Sequence, residues 1–498
     1  MCPRARRAPI TLVAAMHAIC LVGVAFTFAG CGGNDNTNYV PPIIIPAITN
    51  YTVGGTISGL TVSSVVLANG TSTVTVPALA SAWVFPNSFT PGSSYAVTVQ
   101  TQPTGELCEV TSGGSGTDTG AVGNVTVVCG YGQWTWEAGL TTVNASGAYG
   151  TQGTASASNV PGARYSASSW TDSSGDFWLF GGVGYDATGA AGYLNDLWHY
   201  SPSTKEWTYV SGATADNASG VYGTQGTASA SSAPGARYSA SSWIDTSGNL
   251  WLFGGVGYDS TGAAGYLNDL WRYSPSTKEW TWISGGNVDN GSAVYGARGT
   301  ASASNVPGAR YSASSWIDSS GNLWLFGGYG YDSIGAVGRL NDLWHYSPST
   351  GQWTWIGGED LVNIVGVYGT LGTAAAGNLP GPRQGASSWI DSSGNLWLYG
   401  GVGNDSNGSV GNLNDLWQYS PSTSEWNWVS GGNGDNATGF YGTRGTGSVE
   451  NVPGGRNSIS SWIDSSGNLW LFGGSGYDSN GALGYLNDLW QYNPSTGS

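Results

Sequence analysis

The feature that most constrains this chain is a tract written five times over, in which every landmark returns after 73 residues. PGAR-like segments end at Arg164, Arg237, Arg310, Arg383 and Arg456, and WLFGG-like segments begin at Trp178, Trp251, Trp324, Trp397 and Trp470. NDLW follows in step, ending at Trp198, Trp271, Trp344, Trp417 and Trp490. A fixed period of this size marks one supersecondary unit repeated, each copy burying its apolar face against the next. Each copy holds four strand-like runs, as in ARYSASSW, NLWLFGG, LNDLWHY and EWTWISG, with SSGN and SPSTK as the short turns between them. The 82 glycines and the 12% aromatic content suit many short strands joined by tight turns.

A glycine doublet such as Gly181-Gly182, then Tyr200, then Trp207 seven positions on, resembles the kelch motif, and all five copies keep the doublet. The tyrosines continue at Tyr273, Tyr346, Tyr419 and Tyr492, and the tryptophans at Trp280, Trp353 and Trp426. The resemblance spans residues 131–498 and implies an all-β fold with a five-bladed kelch-type β-propeller, one four-stranded blade per repeat. A kelch unit is usually about 50 residues, and the extra length of this one lies between its fourth strand and the next PGAR. The last copy stops after its third strand, while Gly132 to Glu137 reads GQWTWE and matches the fourth-strand sequence at Gly351–Trp355. That N-terminal strand is expected to pair with Leu486–Tyr492 and close the ring, which removes an exposed sheet edge.

Of the 25 tryptophans all but Trp83 fall in the repeats. Layers such as Trp170, Trp178, Trp198 and Trp207 are expected to hold neighbouring blades together, each ring removing roughly 150–250 Å² from water. The alternative, a sugar-stacking platform, requires rings in loops.

Ahead of the repeats, residues 50–130 carry period-2 runs bounded by Gly, Pro or Asn, which predict a small immunoglobulin-like β-sandwich of about seven strands. Cys108 and Cys129 remain after Cys2, Cys20 and Cys31 are set aside, and are expected to form a disulfide. Residues 1–30 place Arg4, Arg6 and Arg7 before an apolar stretch and Ala29-Gly30-Cys31. The segment reads as an export signal whose end resembles the bacterial lipobox, so Cys31 is the expected lipidation site and residues 31–49 a proline-containing tether. A cell-envelope location follows, as an outer-membrane or cell-surface lipoprotein that touches the membrane only through its lipid.

The formal net charge is −16, and without the three leader arginines it is −19, which excludes nucleic acid as a partner because no basic stripe is left to neutralise phosphates. A monomer is expected. Alternating strand direction puts the two longer connections of each copy on one face of the disc. That face collects Tyr185-Asp186, Tyr258-Asp259, Tyr331-Asp332 and Tyr477-Asp478, with Asn404-Asp405 departing from the pattern, and the inserts add Tyr149, Tyr222, Tyr295, Tyr368 and Tyr441. The arginines Arg164, Arg237, Arg310, Arg383 and Arg456 enter from the same side. Each either pairs with a carboxylate such as Asp196 or contributes to anion binding. Glu359-Asp360-Leu361 is the most distinct departure from the repeat.

The expectation is a surface-anchored binding or adhesion protein whose long-loop face takes a glycan or protein partner. The alternative is a secreted carbohydrate-active enzyme on the same scaffold. Kelch relatives include galactose oxidase, whose copper chemistry needs histidines and a cysteine-modified tyrosine, yet after the leader only His199 and His345 remain and no cysteine follows Cys129. The symmetric aspartates single out no pair for glycoside cleavage, and no DxDxDG loop is present. No catalytic residue, metal or cofactor is assigned from the sequence.

Overall fold

In the computed structural model the described residues are 50–117, 120–130 and 135–497. The leader, the lipidation site at Cys31 and the tether lie outside them. The chain divides into two compact units at Thr135/Trp136, and every regular element in them is a β-strand.

The first unit is two four-stranded sheets. One holds Val53–Ser58, Ala82–Val84, Leu107–Ser112 and Val122–Gly130, and the other Val65–Asn69, Ser72–Val76, Ser94–Thr101 and Ser115–Thr117. Alternate residues of both point into one core that includes Val53, Val65, Leu67, Trp83, Val125 and Val127. Cys108 and Cys129 face each other on adjacent antiparallel strands within this core and are joined as a disulfide. In the chain-entropy account, closing a loop with a sequence separation of 21 residues contributes roughly 3 kcal/mol.

The second unit holds one antiparallel sheet per repeat, which in the third and fourth copies is divided into a four-stranded and a three-stranded part. In the first, Ser168–Thr171 pairs with Phe177–Tyr185, which pairs with Ala191–Ser201, which pairs with Glu206–Ser211. The next three sheets repeat this order. The Gly181-Gly182 doublet breaks the second strand at a bulge where both glycines have left-handed φ, 66° and 96°. A Cβ on Gly181 would stand 2.7 Å from the Arg237 carbonyl oxygen of the neighbouring sheet, so the doublet is required by backbone crowding.

The core lies between successive sheets. Trp170, Trp178, Phe180 and Leu197 of the first sheet pack on Leu250, Leu252, Trp271 and Trp280 of the second, and equivalent slabs join second to third, third to fourth and fourth to fifth. Backbone bonds tie the innermost segments in the same order. The Ser239 N–H donates to the Ser166 carbonyl, Ser312 to Ser239, Gly385 to Ser312 and Ser458 to Gly385, at 3.0–3.4 Å. The tryptophan layers therefore serve as packing, as the sequence predicts.

Two expectations need correction here. Among the described residues the series of joints runs from the first sheet to the fifth, and no bond or core cluster returns from fifth to first. Among the described residues Leu483–Tyr492 pairs with Leu469–Tyr477 alone, and Tyr485 is 95% exposed. Of the predicted closing strand, residues 132–134 lie outside the described residues. Glu137 sits against the first sheet, where its Oε2 is 2.8 Å from Lys205 Nζ. The second correction concerns the inserts, which do not hang free on one face. Four of them run along the outer edge of the sheet that follows, as Ala155–Ser156 does beside Trp207 and Thr208, and as Ser229, Ser302 and Ala375 do beside Trp280, Trp353 and Trp426. The physical reason is that a fourth strand leaves a row of unpaired N–H and C=O groups, and the insert covers them.

Candidate functional site

The five repeat arginines do not face a ligand. Arg237, Arg310, Arg383 and Arg456 are at most 1% exposed, and each guanidinium grips one aspartate bidentately. Arg310 Nη1 donates to Asp342 Oδ1 at 2.6 Å and Nη2 to Oδ2 at 2.7 Å, while Nε and Nη1 also donate to the Gly308 and Gly327 carbonyls. Asp342 Oδ2 accepts two more bonds, from Trp344 Nε1 and from the Tyr295 hydroxyl, each at 2.7 Å. The same four-residue knot recurs as Arg164–Asp196–Trp198–Tyr149, Arg237–Asp269–Trp271–Tyr222, Arg383–Asp415–Trp417–Tyr368 and Arg456–Asp488–Trp490–Tyr441.

The knot explains why PGAR, NDLW and an insert tyrosine travel together in the sequence. A buried charge is tolerated only when paired and hydrogen-bonded, and here four of the five guanidinium N–H groups of Arg310 have partners inside the protein. Electrostatics agree. Burial works to raise the Asp488 carboxyl, but bonds from Arg456, Trp490 and Tyr441 outweigh it and hold it at about 2. Burial, then the neighbouring Asp269, pushes the Tyr222 phenol far above its ordinary value. The reading of the arginines as anion ligands, and of the insert tyrosines as surface groups, is therefore corrected.

The aspartates after the loop tyrosines are structural as well. Asp186, Asp259, Asp332 and Asp405 are at most 3% exposed. Asp259 Oδ1 accepts the Thr261 and Ala263 N–H groups of its own turn, and Oδ2 accepts the Asp289 N–H. Asp478 caps the same turn in the last copy through the Asn480 and Ala482 N–H groups. Glu359 and Asp360 are half-buried, and their backbone is fixed by Asn341 and Ser333.

What the structure does bring together is a set of half-buried tyrosines, with the half-buried Gln384 and the buried Asn404 and Asn412, at the loop ends of the inner strands. Tyr266 stands 5.2 Å from Tyr311, 6.2 Å from Tyr329 and 5.9 Å from Tyr331, centroid to centroid. Tyr193 lies 4.9 Å from Tyr238 and 5.7 Å from Tyr258. Of the tyrosines singled out in the sequence, Tyr258 and Tyr331 join these clusters, whereas Tyr185 and Tyr477 meet no other aromatic ring among the described residues.

The patch breaks the fivefold repeat. Positions 193, 266, 339, 412 and 485 carry Tyr, Tyr, Arg, Asn and Tyr, and positions 165, 238, 311, 384 and 457 carry Tyr, Tyr, Tyr, Gln and Asn. The fourth copy thus presents Gln384, Asn404 and Asn412 where the second presents Tyr238, Tyr258 and Tyr266. Between tyrosines and amides stands Arg339, its guanidinium 5.9 Å from the Tyr329 ring centre. The Gln384 amide reaches the Tyr311 phenol, whose pKa is raised chiefly by burial, and burial pushes Tyr238 up to about 12. These phenols stay protonated and able to donate at neutral pH.

Three buried polar atoms here have no hydrogen-bond partner among the described residues: Arg339 Nε, Gln384 Oε1 and Asn404 Oδ1. Leaving such groups unmatched costs roughly 1–3 kcal/mol each, a cost that a polar ligand would relieve. Lining the five copies up in register and reading only the positions that change would have found this patch.

Comparison with known proteins places the repeats. Residues 227–446 match the family model of the KLHDC2/KLHL20/DRC7 Kelch-repeats domain. Over 194 residues the chain is 30% identical to the human Multiple epidermal growth factor-like domains protein 8, a match covering 39% of this chain and 5% of that protein. The solved structure of YjhT aligns at 16% identity with a TM-score of 0.39, over 66% of this chain and 84% of that one.

Proposed function

Because this chain carries a kelch-repeat β-propeller, we propose that it is a binding protein of the cell envelope, held through lipid on Cys31, whose tyrosine–amide patch takes a polar polysaccharide. The observation that carries this reading is the coincidence of three features at one place: the repeat is broken, aromatic faces cluster, and buried polar atoms lack partners. Tyrosine faces suit the C–H faces of sugars, and amides and a guanidinium suit hydroxyl and carboxylate groups. The reading is one of recognition without catalysis, since the aspartates of the loop face are engaged in their own turns. A panel of neutral and acidic glycans should bind the purified protein, and Tyr311→Ala should lose at least tenfold in affinity. Equal binding by the variant, or no glycan bound at all, would refute the reading.

A further inference from the structure

On the opposite ends of the strands, the turn between the innermost and second strands is nearly identical in all copies. In the second copy Asp245 accepts the Ser247 and Asn249 N–H groups and the Trp251 indole, and the Asn249 side-chain amide donates back to both its carboxylate oxygens at 3.2 and 2.9 Å. Asn322 donates likewise to both oxygens of Asp318, and the Asn395 and Asn468 amides each donate to Oδ2 of Asp391 and Asp464. The first copy alone has an aspartate at this place, Asp176, whose backbone N–H still donates to Asp172 Oδ1 at 3.1 Å but whose side chain has no N–H to return.

Asp176 instead brings a second carboxylate beside Asp172 and stands 3.2 Å, through Oδ2, from His199 Nε2. One ligand atom from each of Asp172, Asp176 and His199 lies within 4.8 Å of the others. The imidazole is placed by Trp178, whose ring it meets at 4.5 Å, just as His345 meets Trp324 at 4.6 Å in the third copy. The side chains of His199 and Asp176 are 23% and 22% exposed, so an ion and its waters have access. The third copy is the internal control: it has the aspartate and the histidine, but Asn322 fills the remaining place with an amide that donates.

We propose that Asp172, Asp176 and His199 form a site for a divalent cation of the zinc class, bound through His199 Nε2 and one oxygen from each carboxylate. One neutral imidazole and two carboxylates match the ligand preferences of zinc, with water completing the coordination. The ion would neutralise two adjacent carboxylates that the other four copies avoid by using asparagine. This site is independent of the tyrosine–amide patch.

The test is calorimetric titration of the chelator-treated full chain with zinc chloride. The native protein should take up one equivalent, and Asp176→Asn, the residue four sister turns already accommodate, should weaken it at least tenfold without changing the melting temperature of the zinc-free protein. Asn322→Asp should add a second equivalent at the third copy. No uptake by the native chain, equal uptake by Asp176→Asn, or no second equivalent from Asn322→Asp would overturn the proposal.

Discussion

The Arg–Asp–Trp–Tyr knots and the tyrosine–amide patch stand on the same strands, yet they behave oppositely under repetition. The knots recur five times with Arg Nη1 to Asp Oδ1 bond lengths of 2.6–2.7 Å. The patch changes composition from copy to copy and keeps polar atoms unmatched. Within one chain, a side chain present in every repeat serves the joint that every repeat makes, and only a side chain that differs between repeats can give one part of the face its own chemistry. Repetition therefore separates scaffold from recognition without any second sequence.

The largest effect expected from that contrast is on stability. Asp342→Ala would leave Arg310 buried with no counter-charge and strip acceptors from Trp344 and Tyr295, and removing one partner of such a pair costs about 3–5 kcal/mol. Denaturant unfolding of the repeat unit should show a loss of that size. A loss under about 1 kcal/mol, the range of exposed ion pairs, would break the contrast by making the knot dispensable.

Much of the fold was legible because its causes are local. The period, the strands, the turns and the packing role of the tryptophans follow from the residues of one repeat, and the pairing of Cys108 with Cys129 followed from elimination. The sequence leaves the role of Arg310 open between two readings because its partner Asp342 lies 32 residues away, and the course of the inserts is hidden for the same reason. Tyr295 finds Asp342 at a separation of 47 residues, across a joint between repeats that no single repeat describes. The end sheets differ from the inner ones because contact depends on a neighbour. Ser314–Ile317 is half-buried or buried throughout, while Ser460–Ile463 is mostly exposed. The patch is less legible because it consists of single changes such as Gln384 at a tyrosine position, whereas Glu359–Leu361 departs from the repeat over three consecutive residues.

The central claim is that the positions that vary carry recognition and contribute little to the fold, and it is tested most directly by erasing the variation. Gln384→Tyr, Asn404→Tyr and Asn412→Tyr together would give the fourth copy the residues of the second. Glycan binding and thermal unfolding measured on that one variant should show affinity lost at least tenfold with the melting temperature unchanged or raised. Binding retained at native strength, or binding lost together with a collapse of the melting temperature, would contradict the account.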